Sequence, residues 1–97
     1  MSFAVLPSFD VSAENLEAFL AAAQKDATRS LADEPGCLQF DVVVDRDATP
    51  ARVMFYELYT DRAAFEIHLE TPHLRAFREK LHLCREGPVG MFERVVP

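Results

Sequence analysis

Between Arg52 and Thr60 the chain alternates strictly, yet large apolar side chains occur at both parities. Val53, Phe55 and Tyr59 fall on one face of such a strand with Glu57 among them, and Met54, Tyr56 and Leu58 fall on the other. A strand greasy on both faces calls for a cover on both, and the alternative is a monomer that leaves one mildly hydrophobic sheet face exposed. The flanking segments limit what the cover can be. Phe3 to Phe9 reads as a first strand with Phe3, Val5 and Phe9 on one face, and Pro7, which cannot donate to a ladder, implies that one side of the strand is unpaired there. Ser12 is expected to cap a helix carrying Leu16, Phe19, Leu20, Ala23, Ala27 and Leu31 on one stripe, ended by Glu34-Pro35-Gly36.

Cys37 to Asp45 reads as a second strand with Leu38, Phe40, Val42 and Val44 on one face, joined to the third by the polar stretch Asp45 to Pro50. Asp61 is expected to cap a short helix with Ala64, Phe65, His68 and Leu69 on one stripe. Thr71-Pro72 restarts the helix as cap and first helical residue, with Leu74, Phe77, Leu81 and Cys84 sharing a face. Gly87-Pro88 is expected to end it, and Val89 to Val96 to form a fourth strand. The order is βαββαβ, an α+β ferredoxin-like fold with a split second helix and an antiparallel four-stranded sheet, in a single domain over residues 1–97. Two helices on a four-stranded sheet cover one face and leave the other without cover inside the chain, so a homodimer through that face is expected.

Charge narrows the partners. With a net charge of −6, nucleic acid and anionic membrane surfaces are disfavoured, and a small-molecule substrate is expected. No apolar run reaches the roughly 20 residues that span a bilayer. The start of the sequence reads as no signal peptide, Cys37 and Cys84 as reduced thiols, and the compartment as cytoplasmic.

The chemistry-bearing residues are Glu57, Tyr59, His68 and His73. Glu57 is a carboxylate among apolar neighbours, where burial raises its pKa and makes it a proton acceptor. His68 lies on the helix face toward the sheet, so a Glu–His pair can form across the gap. The pattern alone leaves a catalytic pair and a structural pair equally open. His73, in a first helical turn, is a candidate hydrogen-bond donor to a ligand. His82 shares no stripe with the others. Arg75, Arg78 and Lys80 read as a solvated face, with Arg75 or Arg78 able to meet an anionic group. The spacing of the histidines and the lack of an acidic neighbour argue against a metal site. Glycine-rich phosphate loops, dinucleotide fingerprints and serine elbows are absent, and no basic neighbour activates Cys37.

Three segments together carry a resemblance. Glu34-Pro35-Gly36-Cys37-Leu38-Gln39-Phe40-Asp41, then Tyr56-Glu57-Leu58-Tyr59-Thr60-Asp61, then Phe65 to Phe77 with His68 and Thr71-Pro72-His73, are similar to segments of the antibiotic-biosynthesis-monooxygenase family. The resemblance implies a ferredoxin-like subunit paired into a dimeric α/β barrel, with a pocket between sheet and helices. It implies a cofactor-independent monooxygenase that uses dioxygen on a phenolic, quinol or anthrone-like substrate. Glu57 and His68 would be catalytic. Tyr59 and Phe65 would stack on the ring, His73 would orient an oxygen, and Phe55 and Arg78 would be further substrate-binding residues. Relatives also include isomerases of small phosphorylated hydroxy-carbonyl compounds, and a non-enzymatic ligand-binding module fits the same pocket. Tyr59 stands where many relatives carry tryptophan. The haem-degrading branch fits poorly, because its first-strand asparagine has no counterpart here and its haem-ligating histidine falls near Arg78.

Overall fold

The computed structural model describes residues 1–96. Strand β1 (Ser2–Val11) leads to helix α1 (Leu16–Asp33), strands β2 (Cys37–Asp45) and β3 (Ala51–Tyr59), helices α2 (Arg62–His68) and α3 (Pro72–Arg78), a 3₁₀ turn at Leu81–Leu83, and strand β4 (Arg85–Arg94). The sheet is antiparallel in the order β2-β3-β1-β4. This is the expected βαββαβ architecture, with the helices on one face.

Local chemistry explains the boundaries. Asp61 and Thr71 cap their helices as expected: the Asp61 carboxylate accepts from the Ala64 N–H at 2.8 Å, and the Thr71 hydroxyl accepts from Leu74 N–H at 3.4 Å. Pro72 occupies the first helical position, where a missing N–H removes nothing. Ser12 is not the cap of α1. The helix starts at Leu16 with Asn15 before it and no side-chain cap bond, because residues 12–15 first form a turn closed by Asn15 N–H to the Ser12 carbonyl at 3.0 Å.

Two further expectations shift. Leu38 points out and is 51% exposed, because a bulge between Cys37 and Gln39 moves the register and leaves Cys37 and Phe40 facing the core. Pro7 is unpaired on one side, as expected: it registers with Val89 of β4, while the β1–β3 ladder passes from Val5 to Ser8 without it. Gly87-Pro88 does not end a helix but sits in β4. That strand has one neighbour, so Pro88 removes no ladder bond on its open side.

The core lies between sheet and helices. Phe9 is the hub of an aromatic cluster, with ring centroids 5.1 Å from Phe19, 4.9 Å from Phe55 and 5.9 Å from Phe77. Gly36 lets the β2 entry pass against α2: an added Cβ would meet the Ala64 Cβ at 2.5 Å, so only hydrogen fits. On the opposite sheet face Val43, Met54 and Phe92 are exposed.

Candidate active site

One buried polar stripe runs down α1 beside its apolar stripe. Asp26, Ser30 and Glu34 follow one another at four-residue steps and are all buried, whereas Leu31, expected on the buried stripe, is 48% exposed. Glu34 is the residue at which the helix ends, and it precedes Pro35. A residue before proline is driven out of the helical region; Glu34 has φ −108° and ψ 105° while its N–H still bonds the Ser30 carbonyl at 3.0 Å. Its carboxylate therefore leaves the helix axis and points under the start of α3.

There it meets two imidazoles. His68 closes α2 and places Nδ1 2.8 Å from Glu34 Oε2. His73, two residues past the Thr71 cap, places Nε2 2.5 Å from the same oxygen. Thr71 locks the junction by donating its hydroxyl to the His68 carbonyl at 2.8 Å. On its other side His68 Nε2 lies 3.8 Å from Glu57 Oε1, and the Tyr59 hydroxyl donates to that Glu57 oxygen at 2.5 Å. A continuous row of buried groups thus runs Tyr59–Glu57–His68–Glu34–His73.

The polar environment decides the protonation states. Burial pushes the Glu57 carboxyl up to about 8, with the Tyr59 hydrogen bond opposing it, so it is mostly neutral at pH 7. Burial lowers the His68 pKa, against the Glu34 hydrogen bond that raises it. Neutral His68 donating Nδ1–H to Glu34 leaves the Nε2 lone pair toward Glu57, the arrangement a carboxylate imposes on a histidine base. Burial likewise raises the Tyr59 hydroxyl, with the Glu57 charge adding to it. The Cys37 thiol is pushed up to about 12, chiefly by burial, which leaves no thiolate for nucleophilic chemistry.

A cavity of about 150 Å³ adjoins this row. Its sheet wall is Val5, Phe9, Phe55 and Glu57, its helix wall is Phe65, His68, Leu74, Phe77, Arg78 and Asp26, and Glu86 and Val89 border it at β4. Of the residues expected at the site, Glu57, His68, Phe55, Phe65 and Arg78 line it. Tyr59 and His73 do not: Tyr59 reaches it through Glu57, and His73 through Glu34, while His73 itself borders grooves on the outside of the helices. His82 is exposed and remote from the row.

Glu34 and Asp26 are the residues that strand and motif reasoning passed over. The signal was present as the helical period of Phe19, Ala23, Asp26, Ser30 and Glu34, which continues the apolar stripe into polar residues. Glu34 also supplies the acidic neighbour that the histidine spacing lacks. Glu34, His68 and His73 offer one carboxylate and two ring nitrogens within 4.8 Å of one another, a donor set known from metal centres. Their separations of 2.8 and 2.5 Å are hydrogen-bond distances. Ligands about 2.1 Å from a shared ion stand roughly 3 Å or more apart, so the cluster as built is a hydrogen-bonded triad.

Residues 2–80 match the family described as antibiotic biosynthesis monooxygenase. The Synechocystis protein sll1783, itself uncharacterized, is 31% identical over 78 residues, 78% of this chain and 50% of its own length. The chain therefore spans about half the length of that curated relative. A Nitrosomonas europaea structure provisionally named an antibiotic biosynthesis monooxygenase superposes with a TM-score of 0.87 at 25% identity, over 99% of this chain and 92% of its own. Protein SO0527 from Shewanella oneidensis superposes with a TM-score of 0.82 at 26% identity, over 94% and 88% of the two chains.

Proposed function

We propose, from the premise that this chain belongs to the antibiotic biosynthesis monooxygenase family, that it oxidises a single-ring phenol or quinol with dioxygen in the cavity beside Glu57 and His68. One observation carries the reading: a buried carboxyl and a tautomer-fixed imidazole share the wall of a largely apolar cavity that includes four phenylalanine rings, Phe9, Phe55, Phe65 and Phe77. An engineered apolar cavity of about 150 Å³ holds benzene, so this volume suits one ring. Three fused rings, as in an anthrone, would have to extend past Glu86 and Val89.

In this reading Phe55 and Phe65 hold the ring. The substrate O–H breaks and its proton passes to the ionised Glu57 carboxylate, or to His68 Nε2, whose imidazolium Glu34 then stabilises. The phenolate gives an electron to dioxygen, the two radicals join through a new ring C–O bond to a peroxide anion, and the proton held on Glu57 or His68 returns to it to give the hydroperoxide. Loss of the ring proton and of hydroxide, together one water, leaves the quinone. Phenol and dioxygen thus account for every atom of quinone and water, and the apolar walls keep bulk water from the phenolate.

A second reading is favoured by one feature, Arg78 on the cavity wall. There the Glu57–His68 pair moves a proton between neighbouring carbons of a small hydroxy-carbonyl compound whose anionic group pairs with Arg78. Oxygen uptake by purified, metal- and flavin-depleted protein with phenols and quinols, corrected for autoxidation, separates the two. Uptake above the blank that falls at least a hundredfold in Glu57→Gln supports the oxygenase. Proton exchange on a hydroxy-carbonyl compound without uptake removes it.

The proposal includes a homodimer. Val43, Met54 and Phe92 are exposed on the face away from the helices, and a second copy packing sheet to sheet is the cover their apolar area calls for.

A further inference from the structure

Asp26 is the least explained group in the molecule. It is 2% exposed, it lies on α1 within the helix wall of the cavity, and it takes no part in the row from Tyr59 to His73. Its Oδ1 receives one long hydrogen bond, from the Ser30 hydroxyl at 3.5 Å. Its Oδ2 is buried with no partner among the described residues. Arg78 lines the same cavity, yet no ion pair joins the two among the described residues.

A buried acceptor left unpaired is destabilising, and an alanine in mid-helix would be free of that penalty. The unpaired oxygen makes sense if a ligand completes it. Asp26 stands in the helix layer and Glu57 in the sheet layer, so the cavity offers two buried carboxyls from opposite walls, with exposed Glu86 at its border. Apolar side chains make up most of the remaining wall. A ring held between them meets Glu57 and His68 with one substituent and the α1 side with another.

We propose that Asp26 is a second ligand-binding carboxyl, accepting a hydrogen bond from a hydroxyl on the part of the ligand remote from Glu57. The ligand class is then a ring with two hydroxyls rather than one, and Asp26 sets that preference. This rests on the cavity being the ligand site, as read above. It needs no oxidation to occur, so binding alone reports it.

The test is calorimetric titration, under anaerobic conditions, of hydroquinone, 4-methoxyphenol and phenol into the wild-type protein, Asp26→Ala and Asp26→Asn. Wild type is expected to bind hydroquinone at least tenfold more tightly than 4-methoxyphenol, whose methyl group removes the second donor. In Asp26→Ala the ratio should fall below twofold, while the unliganded protein melts at or above the wild-type temperature. Equal binding of the two rings by wild type, or a tenfold ratio surviving in Asp26→Ala, overturns the subsite and leaves the cavity reading standing. If none of the three rings binds wild type, the cavity reading falls and the subsite falls with it. Lowered melting temperatures in both variants, with binding lost alike for all three rings, would make Asp26 a structural residue and overturn the proposal as well.

Discussion

Replacing Glu57 by glutamine should make the protein more stable at alkaline pH, and by an amount the structure sets. Burial holds the carboxyl neutral in the fold, raising its pKa from 4.5 to about 8. Its folded-state pKa lies above the unfolded one, so the stabilisation is complete below about pH 4.5 and is lost as pH rises through about 8. Each unit of pH in that window removes about 1.4 kcal/mol. Between pH 5 and pH 8 the loss amounts to about 3–4 kcal/mol, a large share of the 5–15 kcal/mol that stabilises a typical domain. Glutamine keeps the shape, still accepts from the Tyr59 hydroxyl, and does not ionise.

Urea denaturation of both proteins at half-unit steps from pH 5 to pH 8 measures this. The two stability curves should nearly coincide at pH 5 and diverge steadily, with Glu57→Gln above wild type by about 3 kcal/mol at pH 8. The variant should keep a residual downward slope, since Asp26 is raised from 3.8 to about 7, mainly by burial, and loses stability in the same direction. Parallel curves would refute the argument, because they would mean that Glu57 ionises alike in the folded and unfolded chains.

Other outcomes follow from the same geometry. Glu34→Gln removes the charge that both imidazoles contact and is expected to destabilise the fold by about 2 kcal/mol in urea melts at pH 7. If Glu34 orients His68, turnover should fall through kcat with KM little changed; a rise in KM alone would count against that role. Tyr59→Phe deletes a hydrogen bond that lowers the Glu57 pKa, so the alkaline-rising limb of kcat/KM should move to higher pH, and an unmoved limb would mean that Glu57 is not the titrating base. Phe92→Asp, on the exposed outer face, should convert a dimer to a monomer in light scattering at micromolar concentration. A wild type that is itself monomeric there would remove the sheet-to-sheet pairing.

Much of the fold was legible because period-2 and period-3.6 patterns do not overlap in this chain, and because Asp61 and Thr71-Pro72 are strong local signals. What escaped was set by contacts that no single segment encodes. The exposure of Leu38 depends on a bulge against β3, and the place of Pro88 depends on β4 being an outer strand with one free side. Within the site, Glu57 and His68 were visible because each sits on a predictable face. Glu34 was hidden because its partners lie 34 and 39 residues away, beyond any local spacing rule. Tyr59 was visible, but its use was not. Its apolar face suggested ring stacking, whereas its hydroxyl is spent on Glu57 inside the wall.

The helix stop explains why these pieces belong together. Proline at position 35 denies Glu34 the helical conformation, and Gly36 then lets the chain pass Ala64 at a distance no side chain allows. The same two residues that end α1 therefore aim a carboxylate at His68 and seat α2 close enough to receive it. Substituting Gly36 by alanine tests that link. The new methyl group would stand 2.5 Å from the Ala64 Cβ, well inside contact distance, and must push α2 away from the sheet. The His68–Glu34 bond should lengthen before the core is breached, since Ala64 and His68 lie on the same short helix. Proton-exchange protection of the His68 ring N–H should then drop while the amides of β1 and β3 stay protected. Equal loss at all of these positions would show that Gly36 serves the fold as a whole and has no particular bearing on the site.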